Sequence, residues 1–455
     1  MREAGLSGAA VSSFERAWRQ TASGETGLMP EAGLESAGGI PALADAASAS
    51  PAPSFLDRLC VIKLNGGLGT GMGLERAKSL IRVKDGLTFL DLIAQQILWM
   101  RETHGTRGPK FLLMDSFSTS ADTVSFLAKY PELASGGALD FLQNKVPKIL
   151  ADSLEPVEWA AAPDMEWCPP GHGDLYAALS GSGLLDQLAA DGVEYLFVSN
   201  SDNLGATADP GLLAYFAGSG LSFLMEVAER TSSDRKGGHL ARRMSDGRLV
   251  LREVAQCPAE DMETFQDIAR HRFFNTNNLW LRVSDLRAAL AEHGGSLPLP
   301  LITNSKTVDP RDPGSPKVLQ LESAMGAAIE CFPRAGAVLV PRTRFSPVKT
   351  TSDLLVLRSD AYVVTRDRRL ELAPGCRGTP PEVVLDGDCY KLLPGLEAAF
   401  GEAAPSLCGC SRFEVHGPWL FETGVVCGGA VRFVNDGGVP ARARRGTYRD
   451  VTESA

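Results

Sequence analysis

The sequence predicts an α/β protein: a mostly parallel mixed sheet covered by helices, followed by a small C-terminal β-helix-like domain. Three observations carry that reading. Short apolar segments alternate with helical ones from Leu59 onward, the pattern of a sheet buried on both faces. Two loops with chemical character, one rich in glycine and one acidic, follow such segments directly, where ligand groups lie in parallel sheets. Beyond Arg366 the helical pattern gives way to β-prone bursts separated by glycine, the mark of stacked rungs.

Residues 1–55 form the first of three expected parts. They are rich in Ala, Gly, Ser and Glu, with a short helix expected at 12–22 and small apolar anchors at Leu34, Ile40 and Leu43. The stretch ALADAASASPAPS closes the part like a linker. It reads as an appendage wrapped on a larger body, without chemistry of its own. Residues 56–365 carry the α/β pattern. Strands are expected at 60–64, 110–114, 194–199 and 222–227, with further candidates at 248–254 and 278–281. Helices are expected over 89–99, after Ser120 and after Ser284. Residues 366–455 are broken by proline and glycine, and FEVHGPWLFETGVVCGGAVRFVN, from Phe413, reads as rungs of a small β-helix. A short antiparallel sheet is the alternative there.

Composition removes several classes of partner. The 455 residues suffice for two or three domains, and 44% apolar with 22% charged residues suits a packed soluble protein. A formal net charge of −10 without a Lys–Arg stripe argues against nucleic acid. There is no run of 18 apolar residues and no signal-peptide pattern over residues 1–23, so no membrane partner is expected. Nine scattered cysteines, odd in number and without Cys-x-x-Cys, fit reduced thiols in a cytoplasmic protein.

Residues 61–79, VIKLNGGLGTGMGLERAKS, give the strongest chemical signal. Five glycines fall in eight residues, at Gly66, Gly67, Gly69, Gly71 and Gly73, directly after Leu64 and Asn65. Glycine admits close approach to main-chain amides, and successive amides form a concavity for phosphate oxygens. Lys78 follows at a distance from which an ammonium reaches the same anion. No Gly-Lys-Ser/Thr ends the run, so it is not a P-loop. An ordinary glycine-rich turn is the plainer alternative.

Four further clusters accompany it. WCPPGHGD opens the main chain at Gly171 and Gly173 around His172; amides there suit the edge of a base, and the imidazole suits donation to a phosphate. A catalytic-base role for His172 is weaker, since a phosphate dianion needs no base. SNSDN ends a β-prone run, and Asp202 is the best candidate ligand for Mg²⁺, a hard cation that prefers oxygen. NTNN at Asn275–Asn278, with Lys236-Gly-Gly238 and Glu253-x-x-Gln256, suits the vicinal hydroxyls of a sugar. PRTRFSPVK places Arg342, Arg344 and Lys349 in eight residues without a glutamate, the composition of a phosphate clamp. Two anionic partners, a metal and a polyol point to phosphoryl-type transfer.

These motifs closely resemble the UTP–glucose-1-phosphate uridylyltransferase (UDP-glucose pyrophosphorylase) family. KLNGGLGTGMG with Lys78, GLTFLDLIAQQI, LMDSFSTSADT, EWCPPGHGDLY, YLFVSNSDNLGA, KGGHL, FFNTNNLWL, KVLQLESAMGAAI and PRTRFSPVKTTSDLLVLRSD run in the family's order from Lys63 to Asp360, about two-thirds of the chain. The resemblance implies a Rossmann-like nucleotidyltransferase domain followed by a small β-helix domain. It implies Mg²⁺ as cofactor, with UTP and glucose 1-phosphate converted reversibly to UDP-glucose and pyrophosphate.

By the same resemblance, the loop backbone at Leu64, Asn65, Gly66 and Gly67 handles nucleoside and phosphates, and Lys78 neutralises the triphosphate. Gly171 and, from LQNKVPKI, Gln143 match residues that read uracil. His172 matches one at the sugar phosphate, Asp202 the metal ligand, and Lys349 the lysine that reaches the reacting phosphates. Gly238, Glu253, Asn275 and Asn277 match the sugar pocket. One departure is Ala77, where the family commonly has proline before the loop lysine. Other sugar 1-phosphates, galactose 1-phosphate or N-acetylglucosamine 1-phosphate, stay open as substrates. A nucleotide-sugar-binding regulator without catalysis is the reading from another class, opposed by Lys78, Asp202 and Lys349. A homo-oligomer also stays open, because a β-rung edge can pair with a second copy or be covered by its own chain.

Overall fold

The structure is a computed structural model that describes residues 1–46, 53–134, 137–401 and 404–455. Residues 47–52, the middle of the expected linker, lie outside the described residues.

The sheet that positions the site grows from the segment LCVIKL. This strand, β2 (Leu59–Leu64), is buried almost throughout, as a strand covered on both faces must be. It pairs in parallel with β3 (Lys110–Asp115) on one side and β5 (Tyr195–Asn200) on the other, and β4 (Asp140–Leu142) extends the β3 side in parallel. Beyond β5 the order turns antiparallel. The long strand β9 (Phe273–Arg282) runs against both β5 and β6 (Phe223–Glu229), and β6 is parallel to β10 (Ala335–Leu339). A hairpin of β7 (His239–Arg243) and β8 (Leu249–Arg252) joins the end of β9 through His239↔Phe274. Beside β9, β7 also pairs antiparallel with β1 (Leu34–Ser36), from the N-terminal part. The sheet is therefore mixed, with its parallel half under the glycine loop.

Alternation along β2 sends side chains to two cores. Val61 belongs to one apolar cluster with Phe89, Phe197 and Trp280, whereas Cys60 and Ile62 belong to the other with Leu196 and Val198. Each fully buried side chain of this size contributes about 1.5–3 kcal/mol. The helix over the first core, α2 (Phe89–His104), starts at a capping box of Thr88 and Asp91 and ends at Gly105 in the left-handed region. The N-terminal helix α1 (Gly8–Ala22) begins earlier than its apolar pattern suggests, because Ser7 caps it by accepting from the Ala10 amide.

In the C-terminal part, β11 (Glu382–Leu385), β12 (Ser406–His416), β14 (Val425–Val434) and β16 (Gly446–Ser454) pair in that order, all parallel. Between them β13 (Trp419–Phe421) pairs in parallel with β15 (Ala441–Ala443). Parallel pairing removes the antiparallel alternative. Phe413, Phe421 and Phe433 meet inside, at centroid separations of 5.0–6.0 Å. They belong to the same apolar cluster as Val61 and Phe197. Among the described residues no helix is long and apolar enough to cross a membrane, and all nine cysteines are free.

Candidate functional site

The glycine loop leaves β2 at Leu64 and turns over the carboxyl end of the parallel strands. Asn65 does not face outward. Its side chain is buried and donates to Asp115 Oδ1 at 2.7 Å and to Thr123 Oγ1 at 3.0 Å, while its amide donates to Met114 O. Asn65 thus anchors the loop to β3, and what it presents is main chain. Burial pushes the Asp115 carboxyl up to about 6. The far end of the loop is fastened where the Lys78 amide donates to Gly67 O, with Ala77 bridged to Leu68 and buried beside it.

Gln143 and Gly171 meet Gly66. The Gln143 amide donates to Gly171 O at 2.9 Å, and a Cβ on Gly66 would lie 2.7 Å from Gln143 Oε1. Gly171 has φ +78°, and a Cβ there would lie 2.5 Å from Ser323 O and 2.9 Å from Ser323 N. Only glycine fits that position. The neighbouring His172 accepts the Met325 amide on Nδ1 at 2.9 Å. Its hydrogen therefore sits on Nε2, free to be donated. Burial lowers its pKa to about 4, so the ring is neutral near pH 7.

Lys78 and Asp202 form an ion pair, Nζ to Oδ2, at 2.7 Å, with side chains about one-fifth exposed. Asp202 Oδ1 is buried and has no hydrogen-bond partner. The main chain of Asp202 accepts the Val348 amide, which brings Lys349 to this corner. The Lys349 amide in turn donates to Asp353, the acidic residue of the capping box that starts α3 (Thr351–Arg358). The Lys349 ammonium is exposed and acts electrostatically on Glu253.

Glu253, Gly238, Asn275 and Asn277 share a second corner. A Cβ on Gly238 would lie 2.5 Å from Glu253 Oε2, and the Asn275 amide donates to Gly238 O. Burial raises the Glu253 pKa. Pairing between β6 and β9 slips after Asn278, so Thr276 and Asn277 bulge out, and Asn277 takes φ +58°. Asparagine tolerates that region better than most side chains. The bulge is braced by Asn275 Nδ2 donating to Asn277 Oδ1 at 2.8 Å and the Asn277 amide returning a bond to Asn275 Oδ1 at 2.9 Å. A Cβ on Gly326 would lie 3.1 Å from Asn275 Nδ2, and Gly326 follows the residue bonded to His172.

Contacts run in a chain from Glu253 to Gly238, Gly238 to Asn275, Asn275 to Gly326, Met325 to His172, Gly171 and Gln143 to Gly66, Gly67 to Lys78, Lys78 to Asp202, and Asp202 to Val348 beside Lys349; the charge of Lys349 acts on Glu253 and turns the chain into a ring. Of the charged residues singled out, Lys78, Asp202, Glu253 and Lys349 lie on this ring, and Arg342 and Arg344 do not.

The phosphate clamp read from Arg342, Arg344 and Lys349 needs correction. Arg344 is buried and pairs bidentately with Glu226 at 2.7 Å, and Glu226 also accepts from Asn278 and Trp280. Arg342 pairs with Asp234 at 2.7 Å. A buried strand carboxylate claims one arginine and a capping carboxylate the other, leaving Lys349 for the site. Lys63 went unnoticed among the apolar residues of β2. It is 2% exposed and donates to Ser199 Oγ and Ala206 O, on either side of the loop that holds Asp202. Burial, with Arg344 nearby, lowers its pKa to about 7. The lysine interrupting VIKL was the available signal. Asn203, next to Asp202, is buried and binds Arg344 O and the Ser346 amide. It ties the Asp202 loop to the segment that ends in Lys349.

A mixed sheet with a glycine loop and an acidic strand end at the carboxyl edge of its parallel half defines an α/β protein of the nucleotidyltransferase type. A family model described as UTP–glucose-1-phosphate uridylyltransferase matches residues 36–427. The uridylyltransferase of Saccharomyces cerevisiae is 43% identical over 350 residues, 76% of this chain and 68% of that protein. That of Solanum tuberosum is 40% identical over 388 residues, 85% of this chain and 78% of the relative. Among solved structures, a mutant UDP-glucose pyrophosphorylase from Leishmania major in complex with UDP-glucose superposes with a TM-score of 0.94 at 49% identity, over 100% of this chain and 97% of that one. A UDP-glucose phosphorylase from Trypanosoma brucei gives 0.91 at 46%, over 100% and 98%. The chain belongs to the UTP–glucose-1-phosphate uridylyltransferase family.

Proposed function

We propose that this chain transfers a uridylyl group from UTP to glucose 1-phosphate, reversibly and with Mg²⁺, giving UDP-glucose and pyrophosphate. The ring is the observation that carries the reading, because it links an amide-lined corner, a cationic edge and a hydroxyl-binding corner. Gly171 and Gln143 read the uracil edge, with the Leu64–Gly67 main chain along the nucleotide. Gly238, Glu253, Asn275 and Asn277 take the sugar hydroxyls, with carboxylate and amides accepting and donating together. A non-bridging oxygen of the sugar phosphate attacks the α-phosphorus in line, the bond to the bridging oxygen of pyrophosphate breaks, and no proton needs to move.

His172 donates from Nε2 to the sugar phosphate, a role its neutral ring allows. Lys78 and Lys349 counter the charge that develops on the equatorial oxygens, where preorganised cations act without reorganising. The donor set fits Mg²⁺: Asp202 offers a buried oxygen with no partner. Among the described residues no group of three or more His, Cys, Asp or Glu could hold a metal ion, and Mg²⁺ commonly takes one or two carboxylates and completes its shell with phosphates and waters. When bound, it supplies charge neutralisation at the triphosphate. In the same reading the parallel C-terminal rungs form a β-helix-like module, residues 366–455, behind a catalytic part at 56–365, and the free thiols suit the cytoplasm.

Pyrophosphate release from UTP and Mg²⁺ with a panel of sugar 1-phosphates tests the proposal. Glucose 1-phosphate is expected to give the highest kcat/KM; a preference for an N-acetylated or galactose ester redefines the substrate, and no release with any removes the transferase reading. Asp202→Asn is expected to raise the Mg²⁺ concentration at half-maximal rate by about tenfold or more. An unchanged metal titration removes Asp202 as the ligand.

A further inference from the structure

The N-terminal segment, without chemistry in the sequence, holds both ends of the turn that carries Glu253. Glu253 lies between the end of β8 and a single helical turn, Val254–Gln256. On the strand side Arg252 is fully buried, and its guanidinium reaches Glu31 Oε2 at 2.6 Å and Asp261 at 3.1 Å. On the turn side the Met29 amide donates to Gln256 O at 2.7 Å, and Gln256 Oε1 accepts the Glu253 amide at 3.0 Å. Residues 29 and 31 thus fix the main chain on either side of one carboxylate.

Glu31 is the centre of this clamp. Its carboxylate also takes Arg270 Nε at 2.8 Å and His271 Nε2 at 3.1 Å, and its amide donates to Asp261 at 2.6 Å. The His271 ring stacks on His239 at 4.0 Å, and His239 follows Gly238 and pairs with Arg252 and Phe274 in the sheet. Phe274 precedes Asn275. Two of the four sugar-corner residues, Glu253 and Gly238, are therefore one covalent step from side chains that Glu31 binds directly or through one neighbour, and Asn275 follows a residue paired with His239 in the sheet. Arg252 Nε and both nitrogens of His239 are buried without partners, so the cluster keeps its geometry through the carboxylate more than through mutual bonds among the bases.

We propose that Glu31 is a positioning residue for glucose 1-phosphate, reaching the sugar corner through Arg252 and the turn behind Glu253. The proposal rests on Glu253 being a sugar contact, as read above. A residue of the N-terminal part would then tune affinity for one substrate and leave the other untouched.

Steady-state kinetics with each substrate varied in turn, on the full chain, decides it. Glu31→Gln keeps the size and removes the charge; the KM for glucose 1-phosphate is expected to rise about tenfold, with the UTP KM and kcat within about twofold. Glu31→Asp, which keeps the charge, is expected to return the sugar KM to within about threefold of the parent. Asp261→Asn loosens the same clamp from its more exposed side and serves where Glu31→Gln does not fold; about a threefold rise, again for the sugar alone, is expected. Glu253→Gln in the same assay separates the two layers of the claim. If it leaves the sugar KM unchanged, the sugar-corner reading falls and the positioning role with it. If it raises that KM while Glu31→Gln and Asp261→Asn leave it unchanged, or move both substrates equally, the positioning role alone is overturned.

Discussion

On the proposed nucleoside side of the ring Gly66, Gly67 and Gly171 present main chain, whereas on the proposed sugar side Glu253, Asn275 and Asn277 present side chains. The difference suits the different chemistry proposed for each side. A base edge and a phosphate are matched by amides fixed in a loop; a Cβ on Gly171 would strike the Ser323 main chain and one on Gly66 the end of the Gln143 side chain, whereas Gly67 has open space. Hydroxyls of a sugar need acceptors and donors with adjustable reach, and these are braced by bonds between side chains and by the clamp at Arg252. A backbone site fails sharply when its conformation is blocked. A side-chain site fails by degrees.

The largest expected effect tests the backbone side. Gly171→Ala puts a Cβ at positive φ against Ser323 O and N, atoms that are themselves bonded to the Gly173 amide and Pro170 O and have no slack. The UTP KM is expected to rise by more than about 30-fold, roughly 2 kcal/mol. Gly66→Ala meets only the end of the Gln143 side chain, and the same measurement should show a smaller rise. Equal, near-native values for both would break the contrast.

Next come the two lysines between the sides. Lys78→Ala and Lys349→Ala are each expected to lower kcat by more than about tenfold, or about 1.4 kcal/mol in barrier. Near-native turnover would remove the lysine concerned from the charge account. Because Lys78 already holds Asp202, its loss should also shift the Mg²⁺ titration, and that of Lys349 should not.

His172 joins the two sides, and its pH behaviour follows from its pKa near 4. The folded ring stays neutral from pH 6 to 8, so it contributes no limb to the rate profile there. Only the unfolded chain takes up a proton as pH falls below about 6.5; the stability this group contributes is present above that pH and is lost toward pH 4. His172→Gln is expected to lower kcat/KM about fivefold, with the profile of kcat/KM against pH unchanged in shape. A limb that vanishes in the variant would give the imidazole a proton-transfer role.

The smallest effect concerns Ala77. Its φ of −53° is one proline adopts, and the loop bonds beside the Leu68 bridge use Gly69 with Arg76 and Lys78 with Gly67, not the Ala77 amide. Ala77→Pro is expected to stabilise the chain by about 0.4–1 kcal/mol through the unfolded state, read as a rise of up to about 1 °C in Tm. A fall in Tm would mean that the buried space at Ala77 does not admit the ring.

The glycine loop, the acidic strand end and the amide-rich NTNN were legible because their composition departs from that of any packed strand or helix. Charges were not legible in the same way. Arg342, Arg344 and Lys349 look alike in sequence, yet only the folded chain brings Glu226 and Asp234 to two of them. Lys63 is hidden in an apolar strand, and its partners come from 136 and 143 positions away. Asn65 belongs to a loop that binds through its main chain, and its side chain serves β3.

By itself, then, the sequence determined where glycine-rich, acidic and amide-rich loops interrupt the apolar strands and in which order those strands arise, because periodicity and local composition are properties of neighbours along the chain. Which of those residues face one another was decided only by tertiary structure. The antiparallel course of β9, the bulge that lifts Asn277 and the strap that carries Glu31 to Arg252 all depend on pairings between distant segments. A buried charge is stable only opposite its partner, and that partner is chosen by the fold.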